Sequence, residues 1–490
     1  MADYKIPGVY SEKVNTGSKP IDGVSTSVVA FMGLAPRGDA ETGFVMISSW
    51  TDFVQKASFG SVDSVFRNDD YMAYNIYNFY QNGGGKAYFG VVKPSDAVAG
   101  KITAGGITFT AKSKGKWSND IAIKITANAV DSTKFDVLIC RTKNVTEGED
   151  TKEVVDTTLE QYKALSNNSA DGKSYWYNAL QASDLFTVSG ETMAVADSFA
   201  KVAGGADGTA SKITDADFIG ANGLIHKLDT INDVSLIING GETSDAMLKG
   251  IIDYCTNRGD LYAILDAPDT MKVSEVVSAR QKLSGLGEIH YPYTKMADPI
   301  TGITIDCPAS GMIAGTYARM DTTYGVWRAG AGEEAVLRGA LGTKKILTDA
   351  EFQTLFEAGV NCIISKPNAG VLMYGARSLN QTYVSDDRLD IYVDKSIKQG
   401  TEWAVFEIND DKLWLKLRTA VLSFLEGLYL KGAFKGSGDG SAFYCVCDAS
   451  INTDANIEKG IVTTEYGYAN KKPAEFVVHR LNKITASATN

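Results

Sequence analysis

Between about residues 212 and 375 short apolar runs alternate with amphipathic stretches, and this limits the possible folds more than any other feature of the chain. Val234-Ser235-Leu236-Ile237-Ile238 is followed by helical spacing from Ser244 to Asn257. Leu261-Tyr262-Ala263-Ile264-Leu265 is followed by a helix from about Lys272 to Leu283, stopped at Ser284-Gly285. A strand buried on both faces reads as a continuous apolar run, and reaching a parallel neighbour requires a crossover connection, usually a helix. The pattern therefore predicts an α/β layer around a largely parallel sheet. Val28 to Leu34, ended by Pro36 and Gly38, and Ala87 to Val92 are further runs of the same kind. Between them, Ser49-Trp50-Thr51-Asp52-Phe53 opens a short helix. A firmer helix runs from Asp69 to Gln81, with Tyr71, Tyr74, Tyr77 and Tyr80 every third residue and Asn82-Gly83 as its stop. The aromatic stripe reads as core rather than as a platform for stacked bases.

The stretch 96–205 is rich in Thr, Lys, Ser, Asp and Gly, and Ile121, Ile123 and Ile125 alternate with Ala122 and Lys124. It reads as a β-rich peripheral insertion, with a strand at Phe135 to Ile139 and a close at Gly204-Gly205. Towards the C-terminus, helices are expected from Asp390 to Lys398 and from Asp411 to Leu430. In the second, Leu413, Trp414, Leu417, Val421, Phe424, Leu425 and Leu428 fill one broad face, opposite a narrow polar stripe containing Lys412, Lys416 and Glu426. A Gly-rich turn over 432–440, a strand over 441–447 and segments 460–468 and 475–485 follow. The expected organisation is an arm (1–23), a first part of the core (24–95), the insertion (96–205), the α/β domain (206–375), a C-terminal α+β domain (376–470), and a final strand and tail (471–490).

Charge and composition exclude several functions. With 48 Lys and Arg against 59 Asp and Glu, the net charge of −11 repels phosphate backbones, so nucleic acid is not expected as a partner. No stretch approaches the roughly 18 apolar residues of a membrane span. Met1-Ala2-Asp3-Tyr4-Lys5 begins no signal peptide, so a soluble product of the cytoplasm is expected. The isolated Cys140, Cys255, Cys307 and Cys362, and Cys445 and Cys447 on one face of a strand, read as buried packing residues, because no second ligand pair completes a metal set. His226, His290 and His479 lie far apart and show no ligand spacing.

Other motifs also read as structural. Gly330-Ala331-Gly332-Glu333-Glu334-Ala335 matches a weak dinucleotide fingerprint, but two carboxylates stand where pyrophosphate would sit. They read instead as first-turn acids of a helix. Gly83-Gly84-Gly85-Lys86 is a turn leaving a helix, and Pro308-Ala309-Ser310-Gly311 lacks the first glycine of a nucleophile elbow. No catalytic residue, cofactor site or metal site is expected, although an α/β enzyme with an unrecognised site in 206–375 stays open as the alternative. Both chain ends look like strands without partners of their own. Either they pair within their own chain, or they are added to the sheets of neighbouring copies, where main-chain hydrogen bonds supply affinity.

The order of motifs resembles the contractile tail sheath proteins of contractile phage tails, tail-like bacteriocins and injection systems. The resemblance is carried by Ile6-Pro7-Gly8-Val9-Tyr10-Ser11-Glu12, Gly33-Leu34-Ala35-Pro36-Arg37-Gly38, Phe79-Tyr80-Gln81-Asn82-Gly83-Gly84 and Lys116-Trp117-Ser118-Asn119-Asp120. His290-Tyr291-Pro292-Tyr293, Tyr324-Gly325-Val326-Trp327-Arg328-Ala329, Gly375-Ala376-Arg377-Ser378-Leu379, Phe406-Glu407-Ile408-Asn409-Asp410 and Pro473-Ala474-Glu475-Phe476 follow in order. Ser378 stands where the family usually has Thr, and Arg328-Ala329-Gly330-Ala331-Gly332 has Gly where a Pro is frequent.

The resemblance implies a structural subunit that stacks as hexameric rings around an inner tube, contracts from a metastable extended state and drives the tube through a target envelope. It implies no enzyme activity and no cofactor. It also implies baseplate and terminator or cap proteins as partners, no membrane contact by the sheath itself, assembly in the bacterial cytoplasm, and a place in a phage tail or a tail-like particle. The arm (Pro7, Gly8, Val9, Tyr10, Glu12) and the tail (Phe476, Val478, Arg480, Ile484) would complete the C-terminal sheets of neighbours. Lys412, Lys416 and Glu426 would face the tube, or only solvent. The insertion would decorate the outer surface.

Overall fold

A computed structural model describes residues 20–147, 150–438, 440–476 and 478. The described residues divide into two compact units, one within 25–387 and one within 388–478 together with 20–24.

The larger unit is organised by an eight-stranded sheet. Its strands are β1 (Val29–Gly33), β2 (Phe44–Ile47), β3 (Ala87–Val91), β4 (Leu236–Ile238), β5 (Tyr262–Asp266), β6 (Gly287–Tyr291), β7 (Asn361–Lys366) and β8 (Gly370–Tyr374). They lie in the order β8-β7-β6-β5-β4-β1-β3-β2. The strands from β7 to β3 run parallel, and β8 and β2 close the two edges antiparallel. The expected alternation thus makes the expected layer, and the runs at 29–33 and 87–91 belong to the same sheet. β1, β5 and β6 are buried along their whole length, which explains why they read as continuous apolar runs.

Two helices cross this layer in contact with each other. Helix α1 (Met72–Gln81) starts three residues later than its periodicity suggests, because the Asp70 carboxylate accepts the Met72 N–H at 2.8 Å and ends the preceding turn. Helix α2 (Ser310–Tyr324) packs against it through Gly311 and Gly315. A Cβ at either glycine would overlap the α1 backbone at Asn75 or Phe79, so the sequence Pro308-Ala309-Ser310-Gly311 serves helix packing.

The expected helix after Gly332 does not form. Residues 330–339 make turns and an isolated bridge from Val336 to Leu372, with the Gly332 N–H bonded to the Met373 carbonyl at 2.9 Å. Pairing to the β8 edge takes the backbone groups a helix would need. Glu334 accepts the Tyr324 hydroxyl at 3.0 Å and does not serve as a first-turn acid.

The insertion is all strand and short helix. A three-stranded sheet (Lys101–Ala104, Ile107–Ala111, Phe186–Ser189) packs with a four-stranded one (Ile121–Ala127, Phe135–Glu147, Asp150–Leu165, Ala196–Lys201) around a core that includes Phe109, Ile123, Ile139, Trp176 and Phe186. Its entry and exit are tied by bridges from Val98 to Ala206 and from Lys101 to Ala203. Asn119 and Gly205 exchange two hydrogen bonds of 2.9 Å there. Arg37 also fastens it, with its guanidinium 4.9 Å from the Phe59 ring centre and 5.5 Å from that of Trp117.

The smaller unit contains part of helix α3 (Val384–Gly400), helix α4 (Asp411–Leu430), and a two-stranded antiparallel sheet of β9 (Phe443–Val446) and β10 (Glu465–Tyr468). Helix α3 begins six residues before its expected start, since Asp386 and Asp387 suit its first turn. Helix α4 has the expected limits, and Asp410 caps it by accepting the Lys412 and Leu413 N–H groups at 3.0 Å.

Candidate assembly surface

A two-stranded sheet is marginal in water unless something packs on it. Here β10 is held on one face by tyrosines. Tyr466 and Tyr468 are two apart and therefore share a face of the strand. Asp390 and Asp394 are four apart and share a face of α3. The spacings match, so the Tyr468 hydroxyl donates to Asp390 Oδ1 at 2.7 Å and the Tyr466 hydroxyl to Asp394 Oδ1 at 3.0 Å. Burial first, and then these carboxylates, push both phenols above their ordinary pKa, which keeps them protonated as donors. The Phe434 ring stacks on Tyr468 at 5.0 Å.

The N-terminal chain reaches the same unit. The Val24 N–H donates to Ser396 Oγ at 3.1 Å, Ile21 lies against Gly400, and Gly23 lies against the Tyr392 ring. A Cβ at Gly23 would occupy the position of the Tyr392 hydroxyl. Residues 20–24 and 465–476 thus belong to one small unit.

The sequence-derived site residues are distributed as follows. Pro7, Gly8, Val9, Tyr10, Glu12, Arg480 and Ile484 lie outside the described residues. Phe476 and Val478 are 75% and 77% exposed. On α4, Lys412 and Glu426 are exposed and Lys416 is half-buried. The face they share is not purely polar, because Leu415 is 64% and Leu430 77% exposed. The periodicity placed the buried side correctly but left these two leucines out of its account. It also gave no weight to the turn before α4, where Val405, Phe406 and Ile408 are all exposed. The signal for that turn was Asn409-Asp410, a capping pair that ends the loop and starts the helix.

Cys445 and Cys447 are buried, as is every other cysteine of the chain. Burial, and secondly the Cys447 neighbour, push the Cys445 thiol up to about 11, so it remains a protonated packing group. His226 is exposed near Asp229, and His479 lies outside the described residues. Among the described residues no cluster of three or more His, Cys, Asp or Glu could hold a metal. None of the helices described there is long and apolar enough to cross a membrane.

The most enzyme-like cluster of the α/β layer is enclosed. Asp266, Glu288 and His290 are at most 2% exposed. Asp266 Oδ1 accepts the Ala309 and Ser310 N–H groups, and Glu288 accepts from Tyr317 at 2.7 Å and Asn361 at 3.0 Å. His290 Nε2 lies 3.0 Å from a Glu288 carboxylate oxygen without the alignment of a hydrogen bond. These groups tie strands and α2 together in the interior.

Residues 213–379 match the phage tail sheath protein central domain. A tail sheath protein of Vibrio phage KVP40 is 23% identical over 180 residues, which is 35% of this chain and only a quarter of that relative's length. Among solved structures, the sheath of an extracellular contractile injection system (the PVC sheath complex in its contracted state) has a TM-score of 0.60 at 20% identity and covers 98% of both chains. The helical sheath of the anti-feeding prophage, also contracted, has a TM-score of 0.60 at 17% identity over 98% of this chain and 99% of its own. The chain is thus similar in sequence to tail sheath proteins over its central part and shares the sheath fold over nearly its whole length.

Proposed function

We propose that this chain, similar to contractile tail sheath proteins, is the structural subunit of a contractile sheath. In this reading copies stack as hexameric rings around an inner tube, and shortening of the lattice drives the tube through a target envelope. The observation that carries it is the unfinished sheet of the smaller unit. Among the described residues β9 and β10 pair only with each other over their length, and residues 20–24 belong to the same unit as this sheet. Strand addition by the arm of one neighbour and the tail of another would complete the sheet and link the copies into a mesh. Main-chain ladders would then hold while the larger units change their packing, a switch between two arrangements of the same parts.

Other parts take supporting roles in the same reading. The exposed face of α4, with Lys412, Lys416 and Glu426, contacts the tube. The insertion lies outside and adjusts lattice stability. Baseplate and terminator or cap proteins close the ends, assembly occurs in the bacterial cytoplasm, and no catalytic step or cofactor is involved.

The test is electron microscopy of the purified full-length protein, alone and with its tube protein. Hollow striated cylinders are expected, and deletion of residues 1–20 should leave folded protein that does not polymerise. Normal-length cylinders from that deletion would refute the linkage, and a protein that stays monomeric under every assembly condition would refute the function.

A further inference from the structure

A cleft of about 510 Å³ opens within the larger unit, where the insertion meets the eight-stranded sheet. Small-molecule sites range over roughly 300–1,000 Å³, so the cleft has room for a ligand. One wall belongs to the core and contains Arg37, which follows β1, Val45 of β2, and Lys56 and Phe59 around the end of the helix Trp50–Ser58. The other belongs to the insertion and contains Lys112, Thr158 and Leu159. Val45, Phe59 and Leu159 are half-buried, and so present apolar surface to whatever enters.

Two cations meet at one point of its lining. The Arg37 guanidinium donates to the Asp184 carbonyl at 3.0 Å, and the Lys112 amine donates to the Ser183 carbonyl. These carbonyls are consecutive in the chain, so one short segment holds both positive charges side by side. Main-chain carbonyls carry no net charge to balance them, whereas Lys56 in the same lining is paired with Asp52 at 3.0 Å. Burial lowers the Arg37 pKa from its ordinary value, although the charges of Asp184 and Glu160 oppose this. Both Glu160 oxygens are engaged, one by the Asp184 N–H at 2.8 Å and the other by the Tyr162 hydroxyl at 2.9 Å. Taking a cation out of water costs free energy that carbonyl dipoles offset only in part, and an anion in the cleft would offset the rest. The guanidinium is also held ready. The Phe59 and Trp117 rings lie against it, and its planar fork matches the two oxygens of a carboxylate or phosphate.

We propose that this cleft binds a small organic acid, a carboxylate or a phosphate ester with an apolar body. The acid group sits against Arg37 and Lys112, and the body lies along Val45, Phe59 and Leu159. Because the two walls come from the core and from the insertion, an occupied cleft ties one to the other and makes the insertion harder to open. The site is independent of how copies assemble.

Ligand-observed fluorine NMR on the full-length protein tests this. The probes are para-fluorophenyl phosphate and para-fluorobenzoate, with para-fluorobenzyl alcohol as the uncharged control. At least one acid should bind with Kd below about 1 mM, and the alcohol about tenfold or more weaker. The tighter of the two acids identifies the acid group that the cleft prefers. Lys112→Ala removes an exposed amine, so the melting temperature without probe should stay level while the acid binds about tenfold or more weaker. Thr158→Trp places a ring in the cleft from an exposed strand position, and should abolish binding, again with no loss of melting temperature. The bound acid should slow hydrogen exchange over residues 157–160 of the unaltered protein. Three results would each overturn the proposal: neither acid binding at millimolar concentration, the alcohol binding as tightly as the acids, or an affinity that either substitution leaves unchanged.

Discussion

The insertion and the smaller unit have opposite economies. The insertion, between Val98 and Ala206, closes on its own core: Trp176, Phe109 and Phe186 are fully buried, and its sheets are bridged at the point of entry. The smaller unit buries one face of α4 and ties β10 to α3, yet leaves Phe406, Leu415, Leu430, Phe476 and Val478 in water. A region that completes its own packing can vary at the periphery of an assembly. In the proposed assembly, a region that ends with exposed apolar groups and a two-stranded sheet is finished by other chains.

The difference can be tested by damaging each side in turn. Trp176→Ala removes a fully buried indole and should cost the insertion about 3–5 kcal/mol, read as a lower denaturant midpoint. Cylinders should still form; if they vanish, the insertion belongs to the lattice and the contrast fails.

Asp70 offers a pH probe of the larger unit. Burial, opposed by the backbone N–H groups of Met72 and Leu34, lifts its carboxyl from 3.8 to about 7. A raised folded pKa means that the contribution to stability is complete below about pH 3.8 and is lost as pH rises towards 7. Asp70→Asn should therefore flatten the pH dependence of unfolding over that window by a few kcal/mol. A curve parallel to that of the unchanged protein would contradict this.

Smaller effects belong to the smaller unit. Gly23→Ala should cost about 1–3 kcal/mol by overlap with Tyr392. It should expose residues 20–24 to protease without altering the unfolding of residues 25–387. Equal protection in the variant would mean that this segment is not anchored there. Tyr468→Phe removes one hydrogen bond to Asp390 and should cost about 1–2 kcal/mol, measured by hydrogen exchange at β10. If exchange at β10 does not quicken, the tyrosine ladder is not what holds the strand.

Much of this was legible in the chain. The sheet strands of the larger unit were visible because strands buried on both faces need unbroken apolar runs. The β-rich character of the insertion showed in Ile121, Ile123 and Ile125, which now line its core. After Gly332, glycine and paired acids look like a helix start, whereas the edge of β8 claims that backbone. The turn at Phe406 shows in the sequence only as part of a family motif, because exposure and a left-handed φ leave no periodic trace.

What the sequence determined alone was local. Helix α4 carries its own apolar face and its own Asp410 cap, so its limits could be read directly. What only the tertiary structure decided was long-range. Helix α2 is preceded by Ala309, which has no capping side chain, and the N–H groups of Ala309 and Ser310 are satisfied by Asp266 from β5, more than forty residues away. Periodicity reports what neighbouring residues require of each other, whereas a buried donor takes whichever acceptor the fold brings to it.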